Sequence, residues 1–385
     1  MTATFTRTPA RSSPIVVDRI DDVAGFEALR DEWSELLHAS DADCLFLTWE
    51  WLYTWWKHLA GDRQLSIFAL RRGGRLLAMA PFGRRPASLL HRRPLPVLEF
   101  LGNGCVGSDY LDFIVRRGCE EEVRVALARV LPKERLVLDL TQLRQGTCAA
   151  AGVAAALRER NWNVSETVIN ICPFIPLAGM SWERYLATLG PEHRYNFNRK
   201  WKRLNRDYSL QVEQVHTAEQ CGNSIDLVMK LHNLRWRGRG GSDAFNTPGL
   251  VAFHSEFSQI ALQLGWLRLY VLRLNQEPVA GLYGFLYGRT FYFYQSGFDP
   301  AYRKQSVGLV SMGLSIKNAI EDGAEEYDLL HGSEEYKSHW SRHSRELGRL
   351  ELYPPGNLGR ICRRSVELER VSRRIARRIL TGVFV

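Results

Sequence analysis

The chain has 385 residues, of which 45% are hydrophobic and 24% charged, a balance typical of a globular protein and not of a disordered one. Its length is sufficient for two domains of ordinary size. Nowhere do about 18 apolar residues follow one another, so the sequence predicts neither a membrane span nor a signal peptide.

The formal net charge of +9 is concentrated at the C-terminus. Residues 356–385 contain eight arginines and two glutamates, a net charge of +6, which leaves +3 for the rest of the chain. A general nucleic-acid-binding protein is therefore not indicated. The seven cysteines form no CxxC pair and have no histidine at zinc-ligand spacing, so we expect reduced thiols in a cytoplasmic protein and no metal.

The first part of the chain predicts a mixed α/β sheet, because strands and helices alternate and hairpins are included. The predicted strands are 15–20, 65–72, 75–82, 97–102, 109–115 and 136–140, and the predicted helices are 26–38, 49–60, 119–131 and 147–160. Gly73 and Gly74 form the hairpin turn between the second and third strands.

The character of the sequence changes near residue 178, where we place a domain boundary. A polar, basic helix begins at Ser181 and is interrupted at Gly190-Pro191, since proline lacks an N–H group and disfavours helix before it. The remaining predicted helices are 218–237, 249–264 and 307–322, and the predicted strands are 266–274, 279–287, 290–295, 326–330 and 348–353. A turn at Asp299 separates the third of these strands from its helix, and we expect an Asx hydrogen bond to hold it.

Two segments, 68–82 and 270–285, share a strand, a Leu-Arg pair, a turn and an apolar strand containing alanine. This similarity indicates a degenerate internal duplication. In the first copy, Glu120 to Glu122 open the helix that follows the sheet and would repel a phosphate. In the second copy a glycine-bearing segment opens the helix, so we assign the chemistry to the second half and scaffolding to the first.

That glycine-bearing segment is a predicted phosphate site. Free N–H groups and the dipole of a helix N-terminus attract anions, and a glycine lets a pyrophosphate approach the backbone closely. The predicted cofactor-binding residues are Arg303, Lys304, Gln305, Ser306, Val307 and Gly308.

These residues resemble the acyl-coenzyme A site of the GNAT acyltransferases, and they depart from its Q/R-x-x-G-x-G/A loop at Val310. More specifically, RWRGRG (235–240), QSGFDPAY (295–302), SVG (306–308) and YDLLHGSEEYKSHW (327–340) resemble the CelD-like branch of tandem GNAT proteins, with a BioF-like acetyltransferase domain, related to the FemAB ligases. His331 stands where that branch commonly has arginine.

The resemblance implies two tandem GNAT-like domains of mixed α/β class, at 15–178 (degenerate) and 179–356 (with a long helical insertion), between a flexible N-terminus at 1–14 and a basic helical tail at 357–385. It implies acyl transfer from acetyl-CoA or another acyl-CoA to an amine or hydroxyl. The implied acceptor is a small molecule or glycan precursor of cell-envelope or exopolysaccharide synthesis.

Acyl transfer from a thioester requires an oxyanion stabiliser, a base for the acceptor and an acid for the leaving thiolate. Backbone N–H groups near 294–297 could supply the first. The candidate bases are His331, Glu334 and Glu335, and Tyr336 is the candidate acid. The alternatives are a solvated turn for the glutamates and a core or rim position for the tyrosine.

A second group of residues is predicted to bind the acceptor. Four side chains recur on one helix face, which either binds an anionic acceptor or packs against acids of the same chain. The predicted substrate-binding residues are His232, Arg235, Trp236 and Arg239 on this face, and Lys337 in a later segment.

Two further functions stay open. A FemAB-like transferase would use aminoacyl-tRNA and contact it through the basic helix 193–206, and a non-catalytic scaffold would be tethered by its tail. The tail carries Ile361, Leu368, Val371, Ile375 and Ile379 near one face among arginines. It therefore predicts contact with an anionic membrane, at its inner face, or with a protein partner, although a solvated helix fits equally.

Overall fold

In the computed structural model, residues 13–88, 94–237, 241–332 and 334–381 are described. Most of the predicted flexible N-terminus, and Arg239 among the predicted site residues, lie outside these ranges. The described residues form one mixed sheet of thirteen strands with helices packed on it.

The strands are β1 (Val16–Ile20), β2 (Gln64–Arg72), β3 (Arg75–Arg85), β4 (Val97–Phe100), β5 (Ile114–Val115), β6 (Val137–Arg144), β7 (Asn163–Pro176), β8 (Leu210–Gln214), β9 (Leu267–Leu274), β10 (Glu277–Tyr287), β11 (Thr290–Phe298), β12 (Glu326–Asp328) and β13 (His343–Tyr353). The α-helices of the same ranges are α1 (Val23–Ala28), α2 (Arg30–His38), α3 (Trp49–Leu59), α4 (Glu120–Val130), α5 (Ala149–Arg158), α6 (Trp182–Thr188), α7 (Pro191–Asp207), α8 (Ala218–Arg237), α9 (Pro248–Gln263), α10 (Val307–Glu321), α11 (Glu335–Trp340) and α12 (Asn357–Thr381).

The sheet consists of two halves with the same plan. Its order is β1-β2-β3-β4-β6-β13-β7-β12-β11-β10-β9-β8, and β5 pairs with β3. In each half a series of antiparallel strands ends in a parallel pair joined through a helix: β4 and β6 through α4, and β11 and β12 through α10. The predicted mixed α/β fold with two similar domains is confirmed.

The two halves exchange their last strands. β7, the last strand of the first half, pairs with β12 of the second, and β13 pairs with β6 of the first. β7 and β13 then pair with each other in the middle of the sheet, from His343 opposite Phe174 to Tyr353 opposite Asn163. The domain boundary near residue 178 stays a prediction, because β7 precedes it in sequence and pairs beyond it in space.

Several predicted elements differ from the observed ones. The strand predicted at 109–115 is extended only at its end, in β5, because Tyr110 adopts a left-handed backbone with a φ of 59°. The interruption predicted at Gly190-Pro191 is confirmed, since α6 ends before it and α7 begins at Pro191. Strands β7 and β8 were not predicted.

A shared aromatic core joins the halves. Trp51 of α3 is fully buried. The centre of its ring lies 4.7 Å from the ring centre of Phe257 and 5.7 Å from that of Tyr294, and both of these residues belong to the second half. Its indole Nε1 donates to Ser108 Oγ at 2.9 Å. Burial of such large rings is a major stabilising term, so each half contributes to the stability of the other.

Helix α8 packs directly on the backbone of β11. A Cβ added at Gly297 would overlap the backbone of Leu231 and His232, so only glycine permits this approach. We expect Gly297→Ala to lower the free energy of unfolding by about 1–3 kcal/mol through overpacking. Thermal denaturation measures the change.

The matched control is Gly222→Ala in α8 itself, where an added Cβ meets nothing within 4 Å. This change should stabilise the helix by about 0.5–1 kcal/mol. An unchanged melting temperature for Gly297→Ala would contradict the packing described.

Candidate active site

The parallel strands β11 and β12 pair only from Thr290 to Tyr292. Beyond this point β12 ends and β11 continues to Phe298, so the two strands separate. A cavity of about 1070 Å³ lies beside this opening, between β10, β11, α7, α10 and α11. We call it the large cavity.

The N-terminus of α10 faces the large cavity. Ser306 precedes the helix in a left-handed conformation, its side chain does not cap the helix, and the first turn contains no acidic residue. The first-turn N–H groups, including those of Val307 and Gly308, therefore have no partner within the helix. The Asx hydrogen bond predicted for the preceding turn is present, since Ala301 N donates to Asp299 Oδ1 at 2.9 Å.

Four of the six predicted cofactor-binding residues line the large cavity: Arg303, Ser306, Val307 and Gly308. Lys304 and Gln305 do not. Lys304 is exposed, and the Gln305 amide donates to Tyr208 Oη at 3.3 Å.

Two further arginines, Arg199 of α7 and Arg235 of α8, line the large cavity as well. Together with the uncapped helix end, these arginines make the cavity an environment that favours anions. Arg199 was predicted only as part of a basic surface, because the sequence does not show that α7 forms a wall of this cavity.

A second cavity of about 460 Å³, the small cavity, adjoins the large one. The two have four lining residues in common: Arg235, Phe293, Ser296 and Tyr336. The first half of the chain contributes to the small cavity through the loop 104–107 and Gln142. The purely scaffolding role expected for the first half therefore does not hold at this site.

His331 lies at the small cavity and is bound by a carboxylate from the first half. Its Nδ1 is 2.8 Å from Asp109 Oδ1, and its backbone N donates to Asp109 Oδ2 at 2.8 Å. Burial disfavours the charged imidazolium, but the charge and hydrogen bond of Asp109 outweigh burial and raise the pKa of His331. Sequence reasoning missed Asp109, and no spacing could have shown it, because the two residues are 222 positions apart.

Tyr336 of α11 lies where the two cavities meet. Burial, together with the nearby Glu334 carboxylate, raises the pKa of Tyr336 well above its usual range. The Arg235 guanidinium lies 5.5 Å from the centre of its ring and donates to Ser296 Oγ at 3.1 Å. Tyr336 is therefore a neutral hydrogen-bond donor next to a fixed positive charge.

Lys337, a predicted substrate-binding residue, lines the small cavity but is largely buried. It is 4% exposed, and its Nζ donates to the carbonyls of His331 at 2.8 Å and Leu330 at 3.2 Å. Its ammonium also lies 3.0 Å from the Glu334 carboxylate. Lys337 thus fixes the loop that carries His331, and Glu334, a predicted base, is held in an ion pair.

The predicted substrate-binding face of α8 is divided by the structure. Arg235 and Trp236 line the small cavity. His232 is buried, with Nδ1 3.1 Å from Ser296 O and Nε2 2.8 Å from Ser242 Oγ. Burial lowers the pKa of His232 to about 4, so this neutral ring supports β11 and does not line either cavity.

Within the described ranges, no group of three or more His, Cys, Asp or Glu side chains is arranged to hold a metal ion. Over the same residues, no helix is both long and apolar enough to cross a membrane.

Residues 191–338 match the family model described as an acetyltransferase (GNAT) domain. This part of the second half is therefore similar to GNAT domains. A comparison with curated proteins gave no significant match.

Three solved structures show a related fold over almost the whole chain. The crystal structure of FemX is similar with a TM-score of 0.61 and 12% identity, covering 87% of this chain and 96% of that one. The structure of L-PGS from Bacillus licheniformis is similar with a TM-score of 0.51 and 14% identity, covering 93% of this chain and 98% of that one. A conserved protein of unknown function from Bacteroides thetaiotaomicron is similar with a TM-score of 0.54 and 14% identity, covering 88% of this chain and 99% of that one.

The protein thus has the fold of the GNAT- and FemAB-related proteins, as its motifs predicted. The CelD-like branch stays a prediction.

The contact between Asp109 and His331 gives a prediction that needs no substrate. In Asp109→Asn the burial of His331 remains but the carboxylate charge is lost, so its pKa should fall below the ordinary value of about 6.5. In the unchanged protein it should lie above that value, so the neutral ring forms only at higher pH. An NMR titration of the His331 ring measures both.

Asp243→Asn is the control, because Asp243 lines the same cavity and its Oδ1 accepts a hydrogen bond from Asn246 Nδ2 instead. This change should leave the pKa of His331 the same as in the unchanged protein. Equal titration of His331 in all three proteins would contradict the electrostatic role of Asp109.

Proposed function

We propose that the protein is an acyltransferase that moves an acyl group from an acyl-CoA in the large cavity to an amine or hydroxyl acceptor in the small cavity. The observation that carries this proposal is the contact between the two cavities at Arg235, Phe293, Ser296 and Tyr336. One cavity faces an uncapped helix N-terminus, and the other contains a histidine bound by a carboxylate.

The residues of the large cavity fit the donor. The N–H groups of Val307 and Gly308 would hold the pyrophosphate, with Arg303 and Arg199 adding charge. Gly308 and Phe298 both line this cavity, and a Cβ added at Gly308 would meet the Phe298 ring at 3.3 Å, so a larger residue would crowd this wall. A volume of about 1070 Å³ is at the upper end of known small-molecule sites, as a ligand of this length requires. Bound there, the donor would supply the activated thioester.

His331 is the proposed base. Asp109 accepts the hydrogen bond of Nδ1–H, which leaves the lone pair on Nε2 for the acceptor proton. Once protonated, the imidazolium is stabilised by the same carboxylate. Asp109 also accepts a hydrogen bond from the backbone N of His331, and this second contact holds the loop and the ring in a fixed relative position.

Tyr336 and β11 are the proposed partners of the thioester. Because its raised pKa keeps Tyr336 protonated, we assign it hydrogen-bond donation to the leaving sulfur; the acid role predicted from the sequence stays a prediction. Among the described strands, β11 has no partner beyond Tyr292 on its β12 side. Its backbone N–H groups on that edge are available to a carbonyl oxygen.

The lining of the small cavity supports a polar acceptor. Gln142, Asp243, Gln295 and Glu334 place amide and carboxylate groups around it, and Trp236 adds an aromatic wall. Such groups bind molecules rich in hydroxyl or amino groups. A glycan precursor of envelope or exopolysaccharide synthesis, handled in the cytoplasm, remains the acceptor class that we propose.

A second candidate is aminoacyl transfer from tRNA, as in the FemAB ligases. It is favoured by α7, which forms a wall of the large cavity and exposes Arg199, Lys202, Arg203 and Arg206. However, Arg203 and Arg206 both pair with Asp207, and Phe197 of the same helix is buried. These contacts fit an amphipathic surface helix equally well, so acyl-CoA is the preferred donor.

Calorimetric titration with CoA and acetyl-CoA tests the donor. Both should bind, and Gly308→Trp should weaken binding by at least about tenfold, because the indole would fill the space beside the helix N-terminus. Gly222→Trp, at an open position of α8, is the control and should bind normally.

Absence of binding at millimolar CoA would overturn the acyl-CoA proposal. Binding of tRNA instead, lost on Lys202→Glu with Arg206→Glu, would favour the aminoacyl candidate.

Turnover tests the base. With acetyl-CoA and a panel of amino and hydroxyl acceptors, His331→Ala should reduce acceptor-dependent thiol release by about 10²–10⁴-fold, with CoA affinity nearly unchanged. A thiol reagent follows the release. His343→Ala, at an exposed histidine of β13, should keep full activity; a similar rate in His331→Ala would remove His331 from the mechanism.

A further inference from the structure

Helix α12 has an apolar stripe on its outer side. Leu358, Ile361, Leu368, Val371 and Ile375 are each 50–58% exposed. Their spacing places them near one face of the helix. Apolar side chains aligned in this way on a surface helix indicate an interaction site rather than scattered surface residues.

The opposite side of α12 is fixed to the sheet, so the direction of the stripe is determined. Cys362 is 4% exposed and packs in a cluster with Leu95, Val97, Val137 and Tyr353. Arg370 Nη2 donates to Glu351 Oε1 at 2.6 Å. Arg363 Nη1 donates to Asn163 Oδ1 at 2.9 Å. With this side anchored, the stripe faces away from the protein.

The positive charge around the stripe indicates which kind of partner the stripe binds. Arg360 and Arg364 are exposed on the same helix, and residues 356–385 carry a net charge of +6 from eight arginines and two glutamates. A second copy of the chain, docked stripe to stripe, would bring these arginines together and be repelled. A bilayer with anionic headgroups offers both apolar depth and opposite charge.

We propose that α12 binds the surface of an anionic lipid bilayer. The helix lies parallel to the membrane, its stripe enters the boundary between headgroups and acyl chains, and the exposed Arg360 and Arg364 contact the headgroups. This orientation agrees with the anchoring of the inner side, because the helix can bind without leaving the sheet. The proposal does not depend on the acyltransferase reaction.

Co-sedimentation of the full chain with vesicles tests the proposal. One set of vesicles is phosphatidylcholine alone, and the other contains equal parts of phosphatidylcholine and phosphatidylglycerol. The protein should bind the second set and bind the first at least about tenfold more weakly, because the arginines interact only with anionic headgroups.

Two variants separate the contributions. Ile361→Ser with Leu368→Ser and Val371→Ser replaces three of the five apolar residues of the stripe, and Arg360→Glu with Arg364→Glu reverses the charge beside it. Each should reduce binding by about tenfold or more without changing the melting temperature. Val16→Ser with Val23→Ser and Val125→Ser alters exposed apolar residues elsewhere and should bind like the unchanged protein.

Three results would overturn the proposal. They are equal binding to both kinds of vesicle or to neither, unchanged binding in the triple-serine variant of the stripe, and a dimer in light scattering that becomes monomeric in that variant. The last result would assign the stripe to a second copy of the chain.

Discussion

The pairing of β7 with β13 is the constraint on which the geometry of both halves depends. Each of these strands belongs by sequence to one half and by pairing to the other. Their own pairing runs through the middle of the sheet from His343 to Tyr353. A shift of one residue would turn every side chain of a strand to the opposite face, so this register fixes the position of one half relative to the other.

The candidate site uses that register directly, because it is built from both halves. Asp109 contacts His331, and its neighbour Tyr110 donates to Asp328 Oδ2 at 2.6 Å. The thiol of Cys172, on β7, lies 3.6 Å from Asp109 Oδ2. The adjacent residues Asp109 and Tyr110 of the first half thus each contact a residue of the second half, and Cys172 of the exchanged strand β7 contacts Asp109 as well.

Asp328 shows how completely this interface is removed from water. Its carboxyl is fully buried, and burial raises its pKa to about 7 although Arg345, Tyr110 and the backbone N of Leu330 act in the opposite direction. A buried carboxyl is tolerated only when it is hydrogen-bonded. The contact between the halves therefore has a defined geometry and is not a loose apolar surface.

The sequence was sufficient for elements whose signal is local. The predicted and observed limits of α8 agree, since a long amphipathic period identifies such a helix, and the loop into α10 was found from its turn residues. β7 was missed because its sequence does not alternate: Val168 and Ile171 are half-exposed on a strand whose partners come from the far end of the chain. The burial of Lys337 was not predicted, because its partners, two backbone carbonyls and the Glu334 carboxylate, come together around it only in the folded chain.

The two halves keep the same plan but differ where the proposed donor would bind. In the second half α10 begins without an acid or a side-chain cap, whereas α4 begins with Glu120, Glu121 and Glu122. A cavity of about 840 Å³ persists beside α4, and Glu120, Glu121 and the buried Asp112 line it. The first-turn carboxylates satisfy the helix dipole themselves, so this half is not suited to bind a pyrophosphate.

The first half is nevertheless required by the geometry of the second. Without it, the rings around Trp51 would face water, the small cavity would lose the wall formed by residues 104–107, and His331 would lose the carboxylate that sets its pKa. The second half alone would also lack β7, the partner of β12. The structural reason for keeping the first half is therefore that it supplies a wall of the small cavity and the carboxylate that binds His331.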